Sequence, residues 1–233
     1  MPFPFDRVRR FKDRLFRNYT AVHPSQDLFD DLAETGQDAA IAHAAEALGK
    51  PPARQPTGIH RPFEYTELFA RHVPPGGFTR SRYCDGSFRV WYGSLELETS
   101  VHESLHHWLR DLSDDGVMTE ARPVAADRKL YSVRCQAELI DLVGREAEYP
   151  DLQHPTDYGF CNRLGAKIQA AGHPGLLASS ARVQGTNAVL FTPDVLDECR
   201  DMAYLQFRYD PVSSKGVAYR GRTLIAERPA VPA

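Results

Sequence analysis

From residue 59 onward the 233-residue chain is written mostly in short β-like runs between turns, and only two stretches of helical periodicity interrupt them. The runs fall at residues 88–93, 130–143, 188–191, 202–209 and 217–226. The first helical stretch, residues 98–112, sets Val101, Leu105, Trp108 and Leu112 on one face at spacings of three and four, with Thr99 or a neighbour as its cap. The second, residues 156–171, turns Phe160, Leu164 and Ile168 inward and stops at Gly172. A doubly wound α/β fold needs strands and helices in regular alternation, and that alternation is absent. The expected class is therefore α+β, with a mixed, largely antiparallel sheet and flanking helices.

Residues 6–48 have a different texture and read as three helices: a basic one reaching Phe16, one over 26–33, and an alanine-rich one over 38–48 closed by Gly49. Residues 50–56, with three prolines, then break the pattern as a linker would. The expected organisation is a helical N-terminal extension over residues 1–57 and a second, catalytic-sized domain over 58–233. The basic cluster Arg7, Arg9, Arg10, Lys12, Arg14 and Arg17 is interleaved with Phe11, Leu15 and Phe16, which predicts the solvated face of an amphipathic helix. With 28 Lys and Arg against 31 Asp and Glu, the chain offers no electrostatic case for direct nucleic-acid binding. Cys84, Cys135, Cys161 and Cys199 form no C-x-x-C pair, so free, buried or half-buried thiols are expected rather than a zinc ribbon or a disulfide scaffold. No apolar run approaches the roughly 20 residues that span a bilayer, and the N-terminus carries charge and proline where a signal peptide needs an apolar core. These features predict no membrane association and a cytoplasmic location.

Chemistry-bearing side chains concentrate in two places. In the first, Arg82 lies between two glycine-containing turns, Tyr92 closes a β-like run, and Glu103 follows on the first helix of the domain. A guanidinium grips phosphate oxygens bidentately, an aromatic can stack on a flat ring, and a carboxylate can steady a sugar cation, so these are parts for holding an anionic dinucleotide. In the second, Gly175 leads to Ser179, Ser180 and Arg182, and then to Asn187 at the start of an apolar run. There is no G-x-S-x-G elbow, so a hydrogen-bonding serine fits better than a nucleophile. A competing pattern overlaps the first place: His102-Glu103-Ser104-Leu105-His106 matches H-E-x-x-H, in which two histidines one helical turn apart bind zinc and the glutamate activates water. The continuation that would supply a third ligand in the metzincins is missing from residues 107–112.

The order of these pieces resembles the RES domain, named for its arginine, glutamate and serine and found in bacterial toxins that degrade NAD and in related phosphorylases. The likeness runs over about residues 59–210 and rests on Arg82-Tyr83, residues 90–94, residues 99–103, Asp157-Tyr158, residues 175–182 and residues 187–191. It implies an ADP-ribosyltransferase-like fold and a catalytic trio of Arg82, Glu103 and Ser180. Tyr92, Ser179, Arg182, Asn187 and an upstream arginine would bind substrate; Arg61 is the choice for that arginine, with Arg80 as competitor. Ala178-Ser179 stands where the family usually has tyrosine-proline, leaving open which of Ser179 and Ser180 faces the ligand. The implied reaction cleaves the nicotinamide–ribose bond of NAD with inorganic phosphate or water as acceptor. NAD is then a substrate, and neither a metal nor a cofactor is required. An Xre-like antitoxin and a homo-oligomer are the implied partners. A zinc hydrolase using His102 and His106, and a binding module that holds NAD or ADP-ribose without turnover, are the alternatives.

Overall fold

A computed structural model describes residues 4–20, 77–120 and 122–230. Eight strands and two longer helices make up the described fold: β1 (Val8–Thr20), β2 (Trp91–Ser94), α1 (Leu97–Asp114), β3 (Val124–Asp141), α2 (Gly159–Ala170), β4 (Gly175–Ser179), β5 (Thr186–Leu190), β6 (Leu196–Asp210), β7 (Lys215–Arg220) and β8 (Thr223–Pro229). The strands form one sheet in the order β1-β2-β5-β4-β3-β6-β7-β8. Every neighbouring pair is antiparallel except β3 with β4. The expected α+β class with a largely antiparallel sheet is what the chain adopts.

The sheet closes on itself. β1 pairs with β3 from Val8↔Ile140 to Thr20↔Arg128, and it also meets β2 at Phe16↔Ser94. Strands β1, β2, β5, β4 and β3 therefore make a ring, whose inward side chains include Phe11, Leu15, Trp91, Tyr131, Leu177 and Leu190. Because strand side chains alternate between faces, the residues next to these point outward. Leu176, Ala178 and Val189 pack with Leu164 and Ile168 of α2. On the extension of the sheet, Val101, Leu105, Trp108 and Leu109 of α1 pack on Leu130, Leu205, Phe207, Ala218 and Ala226. Two helices thus cover the outside of a ring and of its extension, and the groove between them opens at the ends of β2, β4 and β5.

The strand β1 corrects the prediction of a basic helix reaching Phe16. Phe11 and Leu15 are four apart, a spacing that suits one helical face and, being even, one face of a strand equally well. Pairing with β3 decides between them, since it satisfies the backbone of both strands while burying Phe11 and Leu15 completely or nearly so. The basic side chains are not a uniformly solvated face either. Arg7 pairs with the buried Asp141 at 3.2 Å, and Arg14 donates to Ser132 and to the carbonyl of Glu198. The predicted helices over 26–33 and 38–48, and the linker over 50–56, lie outside the described residues.

The two later helices lie where periodicity placed them. The run predicted at 217–226 is a hairpin instead, β7 and β8 joined by a turn at Gly221, and β4 is a strand that the sequence showed only as a glycine-led stretch. Helix α1 is capped at Glu96 and not at Thr99; Thr99 Oγ1 donates to the Glu96 carboxylate, which also accepts from the Thr186 amide. Cys84, Cys135 and Cys161 are buried free thiols and Cys199 is half-buried, as expected. Among the described residues no helix is long and apolar enough to cross a membrane.

Candidate active site

Glu103 faces a cavity of about 510 Å³ bounded by α1, the ends of β2, β4 and β5, and the segment around Arg82. Its position is fixed by two donors. Ser180 Oγ donates to Glu103 Oε1 at 2.6 Å, and Asn187 Nδ2 donates to the same oxygen at 2.7 Å. Each donor is itself oriented. Ser94 on β2 donates to Asn187 Oδ1 at 2.7 Å, which turns the amide nitrogen toward Glu103. The Ser180 hydroxyl accepts from the amides of Arg182 and Val183 at 3.1 and 3.3 Å, leaving its proton for the carboxylate. Charge-assisted bonds of this kind hold a carboxylate in one rotamer. Among the described residues nothing hydrogen-bonds to Glu103 Oε2.

The turn that carries Ser180 depends on a glycine. Ser180 N donates to the Gly185 carbonyl at 2.8 Å, and a Cβ on Gly185 would collide with Thr99 Oγ1 and come within 2.8 Å of Glu96 Oε2. The absence of a side chain there lets the β4–β5 turn lie against the first turn of α1, bringing Ser180 within reach of Glu103 two helical positions beyond Val101. Ser179 lines the cavity, whereas Ser180 is buried behind Glu103. The two serines thus divide the positions that the sequence left ambiguous: one bounds the open space and the other supports the acid.

Cationic groups surround the same space. Arg82 and Arg182 both line it, and Tyr158 joins them: the Arg82 guanidinium lies 4.5 Å from the Tyr158 ring centroid, and Arg182 Nη2 donates to the Tyr158 hydroxyl at 3.3 Å. Arg82 Nη1 donates to the carbonyls of Leu152 and His154, while its Nη2 is buried without a partner. An orphaned guanidinium N–H in a cavity wall is a donor waiting for an oxygen. The backbone of Arg82 is secured by Asn162, whose Nδ2 donates to the carbonyls of Ser81 and Arg82 at 2.8 Å each. Gly165 on α2 stands against Tyr83, where any side chain would strike the Tyr83 carbonyl.

Tyr92 reaches the cavity, but its hydroxyl is already used: it accepts from the Tyr83 amide at 3.1 Å and donates to Ser81 Oγ at 3.0 Å. Burial pushes its pKa well above the ordinary range for tyrosine, so it stays a neutral latch on the Arg82 segment. Of the two candidates for the upstream arginine, Arg80 lines the cavity and Arg61 lies outside the described residues. Sequence reasoning missed Arg17, Asn18, Tyr158 and Arg128, which also line it. Arg17 and Asn18 were hidden by the helical reading of their segment. A strand reading would have exposed them, because Asn18 sits opposite Leu130 and donates to Ser100 on α1.

The same geometry parts the acid of the H-E-x-x-H pattern from its two histidines. Glu103 points to the cavity, while His102 and His106 do not line it. Burial, with the charge of Arg182 next, pulls His106 down to about 3, and its Nδ1 has no hydrogen-bond partner. Among the described residues no three His, Cys, Asp or Glu side chains come together as a metal site would require.

The family model described as RES domain matches residues 51–210. The chain belongs to that family. In this RES chain the arginine, glutamate and serine of the resemblance come together as Arg82, Glu103 and Ser180, within one cavity wall and its immediate support. Comparison with curated proteins returns no match. Among solved structures, the crystal structure of the M. tuberculosis MbcT-MbcA toxin-antitoxin complex contains a chain that is 13% identical, with 88% of each chain covered and a TM-score of 0.46.

Proposed function

We propose that the chain is a NAD-consuming enzyme that cleaves the nicotinamide–ribose bond, with phosphate or water as acceptor, and that it is the toxin of a toxin–antitoxin pair. One observation carries the chemical part of this reading: the Glu103 carboxylate is anchored through one oxygen by Ser180 and Asn187, with its other oxygen unengaged, in a cavity that also presents Arg82 and Arg182. The scissile bond joins ribose C1 to a pyridinium nitrogen. As it breaks, its electron pair returns to that nitrogen, nicotinamide leaves neutral and unprotonated, and C1 becomes oxocarbenium-like. A fixed carboxylate, close to the ribose and shielded from bulk water, stabilises that charge as it forms.

The remaining residues fall into supporting roles. Arg82 and Arg182 hold the diphosphate or the incoming phosphate, and Ser179 bounds the pocket. Ser180 and Asn187 keep Glu103 aimed, and Tyr92 holds the Arg82 segment while its ring packs near the nicotinamide ribose. Phosphate attacking C1 gives ADP-ribose 1''-phosphate, and water gives ADP-ribose. The ADP-ribosyltransferase-like fold, an Xre-like antitoxin as partner, a homo-oligomeric assembly and a cytoplasmic location belong to the same proposal. They are supported by membership of the RES family.

The test is nicotinamide release. Incubated with NAD and phosphate, the protein should liberate nicotinamide, and Glu103→Gln should lower the rate by about a hundredfold or more while leaving the melting temperature close to that of the parent. Full activity in Glu103→Gln removes the carboxylate from its role. Calorimetric binding of NAD without any release of nicotinamide would instead support a non-catalytic NAD or ADP-ribose module.

A further inference from the structure

The cavity has a second cationic end that none of the roles above uses. Along α1, Glu103, His107 and Asp111 follow at intervals of four residues, and all three line the cavity. The space therefore extends about two helical turns, on the order of 12 Å, from the Glu103 end. At the far end stands Arg128 of β3, opposite Thr20 of β1 in the sheet register.

Arg128 is built into the wall. Its guanidinium lies 5.3 Å from the Phe207 ring centroid, a stacking contact that fixes its plane. Its Nε is buried with no hydrogen-bond partner, and among the described residues no carboxylate stands within ion-pair distance of it. Asp111 faces the same cavity and its charge bears on Arg128 from beyond that distance, while Arg110 lies 4.0 Å from Asp114. Burial pulls the pKa of Arg128 below its ordinary value, the sign of a desolvated cation that its surroundings do not fully compensate. The Arg134 guanidinium on the same strand pairs with Asp197 and Glu198, so the lack of a partner at Arg128 is local and not a property of β3. A rigid, desolvated guanidinium facing a cavity is matched by an oxyanion from outside the chain.

We propose that Arg128 anchors a second anion subsite, separate from the Arg82–Arg182 pair, which takes a phosphate group of a nucleotide at a position remote from the scissile bond. This rests on reading the cavity as a nucleotide site, but not on turnover. An acceptor that attacks ribose C1 must lie beside Glu103, within about 3.5 Å of the reacting carbon. The far end therefore suits a phosphate carried on the adenosine half of the ligand. Such a group is either the 5'-diphosphate or a phosphate on the adenosine 2'-hydroxyl, and the two share the same recognition chemistry.

The experiment is calorimetric titration of the full chain, and of Arg128→Gln and Arg128→Lys, with ADP, adenosine 2',5'-bisphosphate and inorganic phosphate. Loss of roughly tenfold or more in nucleotide affinity in Arg128→Gln, with the same or a smaller loss in Arg128→Lys, is the expected result. A loss confined to the 2',5'-bisphosphate assigns the subsite to a 2'-phosphate, and an equal loss for both nucleotides assigns it to the 5'-phosphates. Unchanged affinity for both nucleotides in Arg128→Gln overturns the subsite, as does a loss seen for inorganic phosphate alone. Arg128→Lys, which keeps the charge and most of the volume, supplies the comparison if Arg128→Gln does not fold. Since none of the titrations depends on nicotinamide release, an inactive protein with Arg128-dependent ADP binding would refute the catalytic reading and leave the subsite standing.

Discussion

A carboxylate that stabilises positive charge works only while it stays aimed, and Glu103 is aimed by donors on two separate strand ends. Removing one of them should leave the acid present but loose. Ser180→Ala and Asn187→Ala are each expected to lower kcat for nicotinamide release by roughly 10- to 100-fold, with a smaller change in KM, because neither hydroxyl nor amide is asked to bind substrate directly. The double variant should fall short of the product of the two losses, since both act through the same oxygen. Ser94→Ala offers a finer check. It leaves Asn187 in place but frees its amide to rotate, so it should give a weaker version of the Asn187→Ala phenotype. Gly185→Ala acts through packing and not through hydrogen bonding. The added methyl collides with Thr99 and crowds Glu96, which should destabilise the fold by about 1–3 kcal/mol in denaturant titration and reduce activity as the Ser180 turn shifts.

Helix α1 carries the acid on one face and a buried histidine on another, which ties its attachment to pH. His106 falls from an ordinary value of 6.5 to about 3 in the folded chain, mainly through burial. Between those values the unfolded chain binds a proton that the folded chain does not, so stability is complete above pH 6.5 and is lost progressively as pH falls toward 3. His102 is shifted in the same direction and adds the same sign. Melting temperature should therefore drop between pH 7 and pH 4, and His106→Gln should flatten that slope even if it lowers stability at neutral pH. The apolar face of this helix was legible in the sequence because Val101, Leu105 and Trp108 recur at helical spacing, and Glu103 was legible because of its place beside them. Element β1 was not, because Phe11 and Leu15 satisfy both periods and only the distant partner β3 decides the matter. Strand β4 was hidden for a related reason. Its side chains are buried on both faces of the sheet, so no alternation marks it. Tyr158 and Arg128 could not be read as site residues at all, since what brings them to the cavity is the docking of α2 and the pairing of β3, both set by contacts far away in the chain.

At the level of the molecule, the residues matched by the family model leave out β1, β7 and β8, yet these strands complete the ring and cover α1. A fragment of residues 51–210 is expected to lack a cooperative melting transition, and deletion of residues 1–20 alone should yield aggregated protein, because it bares one edge of β3 and uncovers the core around Tyr131. Circular dichroism and light scattering of the two truncated chains would show it. The pairing of Val8 with Ile140 also sets an order of events during translation. β1 leaves the ribosome long before β3 and until then can meet only β2, at Phe16↔Ser94, and the non-local pairing with β3 that follows is of the slow kind. Asn187, and after it the β7–β8 hairpin, emerge later still. A ribosome stalled before β5 thus carries Glu103 without its Asn187 donor and a cavity without one of its walls, so the pocket is assembled late in the order of synthesis.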